Sequence, residues 1–165
     1  MNRVTPRNKY VLIREDSIAS PDGRTLYRIM ALRKFAGVNY GDLGGYIESE
    51  INLSYDGTCW IEKGSMVSGG AQVSDDAQIR KRAWISGTAR VYGSAEISDN
   101  ACVTDQAHVF DRAKVYENAR IFGRAQIHGE ASVYGSALIF DDVQVCGKAI
   151  VRSKARLRGN EVLFA

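Results

Sequence analysis

Few side chains in this 165-residue sequence have the chemistry of a catalytic or metal site. His108 and His128 are its only histidines, and an imidazole is the usual general base near neutral pH. A zinc centre of the carbonic-anhydrase type takes three histidine ligands, so two are too few for it. Cys59, Cys102 and Cys146 are odd in number and fall in no CxxC or Cys/His spacing. No cationic or helix-terminal setting legible in the sequence marks any of them as an activated thiolate. Asp75, Asp99, Asp105, Asp111 and Asp141 recur in register, yet the Gly-rich nonapeptide of calcium-binding repeats is absent. They read instead as residues of bent backbone corners. Arg152, Lys154, Arg156 and Arg158 form a basic run that suits an anionic partner or keeps an exposed strand edge from aggregating. The sequence offers no cofactor site.

What must position these residues is a repeat. From Ala71 onward Ala recurs at almost every sixth residue and Ile or Val follows two places later, through AQVSDD, AQIRKR, AWISGT and ARVYGS to AIVRSK and ARLRGN. A period of six without a spacer is too short for a helical repeat and gives one rung face of a parallel β-helix. Counting back from Ala71 carries the frame, in degenerate form, to Leu53. With three sixes to a turn, the stretch from Cys59 to Leu163 makes about six coils, at the ~4.8 Å spacing of stacked strands.

Each slot has a physical task. Side chains two apart point the same way, so the first (Ala) and third (Ile/Val) slots face the core, where stacked β-branched residues pack along the axis. The fifth slot is Gly or Asp in most rungs, as a corner requires, with Lys81 and Glu117 as exceptions. The second and fourth slots face outward, and residues one turn apart stack in columns. One face then carries Met66, Trp84, Cys102, Arg120 and Leu138, with Phe122 and Phe140 beside them. This apolar strip is larger than scattered surface residues explain and is the expected interaction surface. A second face carries Gln78, Glu96, Lys114, Ser132 and Ile150 beside Tyr116 and Tyr134. The third carries Gln72, Arg90, His108, Gln126 and Gln144 beside Tyr92 and Phe110. His108 and His128 lie on this third face roughly 8 Å apart by strand spacings, with no acid beside both, and read as solvated surface imidazoles.

Ahead of the repeat, Lys9 to Arg14 and Leu26 to Phe35 read as strands around the turn Ser20-Pro21-Asp22-Gly23, an antiparallel hairpin followed by the Gly-rich loop 37–46. A hairpin alone is marginal and a β-helix end is an open edge, so the hairpin is expected to cap the first coil. The expectation is a single all-β domain, with residues 1–45 as cap and loop and 46–165 as helix. A net charge of +3 is too mild for the basic footprint of nucleic-acid binding. Near the start of the chain the apolar run, only from Tyr10 to Ile13, is too short for a signal-peptide core, no run reaches membrane-spanning length, and an odd number of cysteines without motif spacing suits a reducing cytoplasm.

The rungs resemble those of hexapeptide-repeat, left-handed β-helix proteins over about two-thirds of the chain. The junction DLGGYIESEINLS at 42–54, Cys59-Trp60 and the ARVYGS and ASVYGS rungs are similar to YdcK-like, prophage-borne polypeptides labelled hexapeptide transferases. The resemblance implies a left-handed coil, threefold bundling and, by the label, acyl transfer. The family glycine directly follows the Ile/Val, whereas here it comes one residue later. An acyltransferase also needs an acceptor loop leaving the coil, and no loop interrupts this repeat. The expected function is therefore a rigid, non-catalytic binding or scaffold protein of phage or prophage type. It is expected to act as a trimer or dimer on a host or phage protein. The alternative is an acyl-CoA-dependent acyltransferase with His108 or His128 as base.

Overall fold

The period of six becomes a three-sided β-solenoid in the computed structural model of the chain, which describes residues 8–165; residues 1–7, with Pro6 and the first basic residues, lie outside it. Almost every six contributes a two-residue strand made of its second and third slots, and residues 18 apart pair in parallel, as in Glu96 with Gln78 and Lys114. The strands stack into one sheet of nine and two of six. The coil makes about seven turns, and the described residues contain no α-helix, only a 3₁₀ turn at Glu50–Asn52.

Inward slots fill the centre. The Ala and Ile/Val residues from Ala71 to Val145 are buried, and the Ile and Val chains form one continuous column cluster. Each fully buried Val or Ile contributes about 1.5–3 kcal/mol, so the column rather than the two-residue strands holds the coils together. Ala fills most of the first slots, and Leu53, Cys59 and Val143 are buried in the same position.

Every corner from Asp75 to Gly159 adopts the left-handed conformation at its fifth slot, with φ near +60°. Lys81 and Glu117, which break the Gly/Asp pattern, adopt it too (φ 59° each), as does Ser153 (φ 60°). Those corners are therefore as bent as the rest, and strain at a few side-chain-bearing residues is outweighed by the stacking of whole coils.

The N-terminal hairpin is β1 (Tyr10–Ala19) antiparallel to β2 (Thr25–Ala31), with a register shift between Ile13 and Ser17. The second strand ends at Ala31, short of the sequence expectation, because Phe35 and Val38 close a separate turn by paired backbone hydrogen bonds. The Gly-rich segment is not all loop. Leu43–Ile47 forms β3, antiparallel to β2 on one side and parallel to the rung Met66–Val67 on the other. It is thus at once the third strand of the hairpin sheet and the first rung of the solenoid, straddling residues 45 and 46. This adds a seventh rung to that face. Gly44 and Gly45 make the junction possible. A Cβ on Gly45 would stand 2.4 Å from the Ser65 carbonyl oxygen, and one on Gly44 would stand 2.6 Å from both Ile29 and the Ile61 carbonyl.

The hairpin is also bonded to the first coil. Lys9, fully buried, donates from Nζ to the carbonyls of Asp56 (3.3 Å) and Cys59 (2.9 Å) and to Cys59 Sγ (3.1 Å). Its Nζ lies 5.3 Å from the Phe35 ring centre, and burial pulls its pKa down. The Tyr10 hydroxyl donates to the Leu53 carbonyl at 2.6 Å. Across β1, β2 and β3, the Arg28 guanidinium donates to Asp16 (3.0 Å) and to the Tyr46 hydroxyl (2.6 Å), and that hydroxyl donates to Asp16 (2.7 Å). The bond from Tyr46, then that from Arg28, holds the Asp16 carboxyl below its usual range. Trp60, outward by its slot, is buried because this end structure covers it, with the Phe35 ring edge-on at 5.4 Å.

Candidate functional site

The solenoid lays its outward slots out as three flat faces, and each candidate residue falls on one of them. The apolar strip lies on the nine-stranded sheet. Met66, Trp84, Cys102, Arg120 and Leu138 follow one another in direct register, and the column continues to Arg156. Met66, Trp84, Cys102, Leu138, Phe122 and Phe140 are all half-buried, whereas Arg120 is exposed. Phe122 and Phe140 stack almost in parallel at 5.0 Å, as residues repeated once per coil must when their rotamers agree. Trp84 donates from its indole to the Ser68 hydroxyl at 3.3 Å, which pins the ring along the face. Cys102 sits among these side chains with its thiol pushed up, by burial foremost, which leaves it a poor nucleophile.

The third face brings His108 and His128 into different company. His128 stacks on Phe110 at 4.8 Å, and Phe110 stacks on Tyr92 at 4.9 Å, so three rings form one pile in the fourth slot. The signal was present in the sequence, since Tyr92, Phe110 and His128 lie one coil apart in the same slot. His128 Nδ1 is 3.9 Å from an Asp111 carboxylate oxygen. His108 instead meets Tyr92 edge-on at 6.2 Å. Around it a shallow cleft of about 200 Å³ is lined by Gln72, Ser74, Asp75, Arg90 and Tyr92. Burial, and then the charge of Arg90, pulls the His108 pKa down, so the imidazole is neutral at pH 7. A neutral imidazole in a polar cleft can accept a proton. The neighbouring acid, Asp75, is occupied with the backbone: it accepts from the N–H of Gly93 at 2.9 Å.

That bond is one of a series. Asp105, Asp111 and Asp141 accept from the N–H of Gly123, Gly129 and Gly159, each at 3.0 Å and one coil onward, and Asp99 from that of Glu117 at 3.3 Å. At these corners the carboxylate of one coil accepts a backbone N–H of the next. Among the described residues no group of three or more His, Cys, Asp or Glu stands where it could hold a metal ion.

Ion pairs follow the same one-coil step. Lys81 pairs with Asp99, Arg112 with Glu130 and Arg124 with Asp142 (2.7 Å), while Arg80 bridges Glu62 and Glu96 at 3.3 Å each. Their side chains range from half-buried to exposed, and water reaches every pair, so each is worth little alone. The basic run Arg152, Lys154, Arg156 and Arg158 is exposed and has no ion-pair partner among the described residues. Cys146 is half-buried, its thiol 3.7 Å from the Leu163 carbonyl. Cys59, in an inward slot, is fully buried beside Lys9, and burial raises its thiol.

No protein-family model matches this chain, and a comparison with curated proteins finds no match. Among the described residues no helix is long and apolar enough to cross a membrane.

Proposed function

We propose that the chain is a rigid, non-catalytic binding or scaffold protein of the hexapeptide-repeat, YdcK-like, prophage-borne kind, working in the cytoplasm through protein contacts. It self-associates, as a trimer or dimer, through the nine-stranded sheet, and presents its remaining faces and ends to a host or phage protein. The observation that carries this reading is the strip of Met66, Trp84, Cys102, Leu138, Phe122 and Phe140, half-exposed on one flat sheet. Phe122 and Phe140 are already stacked, so little ordering of these rings opposes association.

Sedimentation velocity tests it. The chain is expected to sediment as a dimer or trimer, and the double variant Phe122→Asp, Phe140→Asp as a folded monomer. A chain that is itself monomeric across the micromolar range overturns self-association on this face.

The His108 cleft favours acyl transfer as the second reading, with His108 taking the proton of the acceptor and His128 held in the aromatic pile nearby. It predicts that acetyl-CoA raises the thermal midpoint by ligand linkage and that His108→Ala abolishes the rise. That pair of results would displace the non-catalytic reading.

A further inference from the structure

We propose that the coil formed by Ile150–Val151, Arg156–Leu157 and Val162–Phe164 is a docking edge for an acidic, strand-forming segment of a partner polypeptide, which adds a further rung to the solenoid. The inference deepens the binding reading above and rests on it, but uses a different surface from the apolar strip.

Three features of this coil are left open at the same edge. The first is apolar. In earlier coils the inward slots are sealed by the next coil, whereas here Ala155 and Leu157 are only half-buried and Leu163 is 37% exposed. Of the exposed large hydrophobic residues of this coil, Leu163 stands in an inward slot and so marks the open edge, while Ile150, Val162 and Phe164 stand in outward slots beside it. Beyond Gly159 there is open space, while a Cβ on Gly87, Gly123 or Gly135 would meet the backbone of the next corner within 3 Å.

The second is backbone pairing. In each earlier coil the even slots donate their N–H groups onward: Gln78, Arg80 and Arg82 to the carbonyls of Ala95, Ile97 and Asp99. In the final coil those slots hold Ile150, Arg152, Lys154, Arg156 and Arg158, whose N–H groups by the same geometry point past the last strand. An edge of this kind takes an added strand.

The third is charge, and it selects the partner. Lys81, Arg112 and Arg124 each find their acid one coil onward, in Asp99, Glu130 and Asp142. Arg152, Lys154, Arg156 and Arg158 are four exposed cations gathered on one coil, and none of them has an ion-pair partner among the described residues. The one acid of their own coil, Glu161, is exposed and pairs with none of them. A segment that offers carboxylates in its outward slots, small and β-branched residues in its inward slots and a strand backbone completes all three features together. A phosphate backbone or an anionic lipid surface would meet the cations but leave the row of N–H groups without strand pairing. A second copy meeting the same edge across a two-fold axis would bring two sets of four cations together.

The probe is a fluorescent synthetic peptide one coil long, with Ala, Val and Gly in the first, third and fifth slots of each six and Glu in the others. Fluorescence anisotropy at physiological ionic strength is expected to show saturable binding of one peptide per chain. Binding is expected to weaken by about tenfold or more in Arg156→Gln, Arg158→Gln and to be unchanged in Arg112→Gln, each variant verified as folded by its thermal midpoint. The proposal is overturned by an absence of saturable binding, or by equal binding of a scrambled peptide of the same composition. It is equally overturned if phosphatidylserine vesicles, and not the peptide, capture the chain through these arginines. Self-association lost on mutating the same two arginines would assign the edge to a second copy instead. The peptide and vesicle outcomes leave the sedimentation result for Phe122 and Phe140 unmoved, so the two readings fail separately.

Discussion

Ser65 stands in the first slot of its rung, where most later rungs have Ala, and its buried hydroxyl has no hydrogen-bond partner. An unsatisfied hydroxyl retains its desolvation cost with nothing to offset it. Ser65→Ala is therefore expected to stabilise the fold by about 1 kcal/mol, read as a higher urea midpoint at unchanged slope. A lower midpoint would mean that the hydroxyl is bonded after all. Glu117 presents the opposite problem, a correct fold around an unsuitable residue. At φ 59° its side chain crowds its own backbone, and its N–H bond to Asp99, at 3.3 Å, is longer than the 3.0 Å of the corners where glycine receives the carboxylate. Glu117→Gly is expected to gain about 0.5–1 kcal/mol, because the relief of the left-handed conformation exceeds the extra freedom of glycine in the unfolded chain. Equilibrium unfolding measures it, and a loss of stability would show that the corner is not strained.

At the scale of elements, β3 decides how cap and coil join. It is flanked on both sides, by Ile29 of β2 and by the carbonyls of Ile61, Glu62 and Ser65 in the first coil, at distances that admit no side chain at Gly44 or Gly45. Gly45→Ala is expected to destabilise the protein by about 1–3 kcal/mol through overpacking, while Gly23→Ala, where nothing stands within 4 Å but φ is +80°, tests backbone strain alone. If the two variants have the same urea midpoint, the close approach at β3 is not what limits the junction. The same element marks the limit of what the sequence reveals. Slots and columns were legible because a period of six fixes which side chains point inward and which stack, and the strip from Met66 to Leu138 followed from counting. The strand at Leu43–Ile47 was hidden because two glycines in a row have the composition of a loop. Here they answer a close contact with strands that are distant in sequence. Trp60 escapes slot counting for a related reason: its slot faces outward, and it is buried by Phe35 and by Gly44 of β3, both outside the repeat. The cleft at His108 was half legible, its column from Gln72 to Arg90 in plain register but its neutral imidazole dependent on burial that slot counting does not give.

For the whole molecule, a solenoid in which each coil touches only its neighbours has a stability that is a sum of coil terms and interface terms, and its two ends differ here in kind. At one end Tyr10, Leu12, Ile29 and Ile47 extend the core past the first coil, and Lys9 and Tyr10 bond to its carbonyls. At the other, Leu157 and Leu163 remain partly in water and four like charges share one coil. The interface term is thus full from the hairpin to the middle rungs and incomplete at the coil from Ile150 to Phe164, which is expected to open at a smaller free energy than the rest. Hydrogen exchange followed by mass spectrometry is expected to show protection highest from β3 through the rungs around Val115. It should fall steeply in peptides covering 150–164, and those peptides should slow selectively when the acidic coil peptide is bound. Gly45→Ala, by loosening the capped end, should raise exchange first at the rungs nearest β3 and leave 150–164 unchanged, since coupling between the ends passes only through successive coil interfaces. Uniform protection along the rod, or simultaneous loss at both ends in that variant, would mean that the solenoid opens as one cooperative unit and that its final coil is held by more than the contacts described.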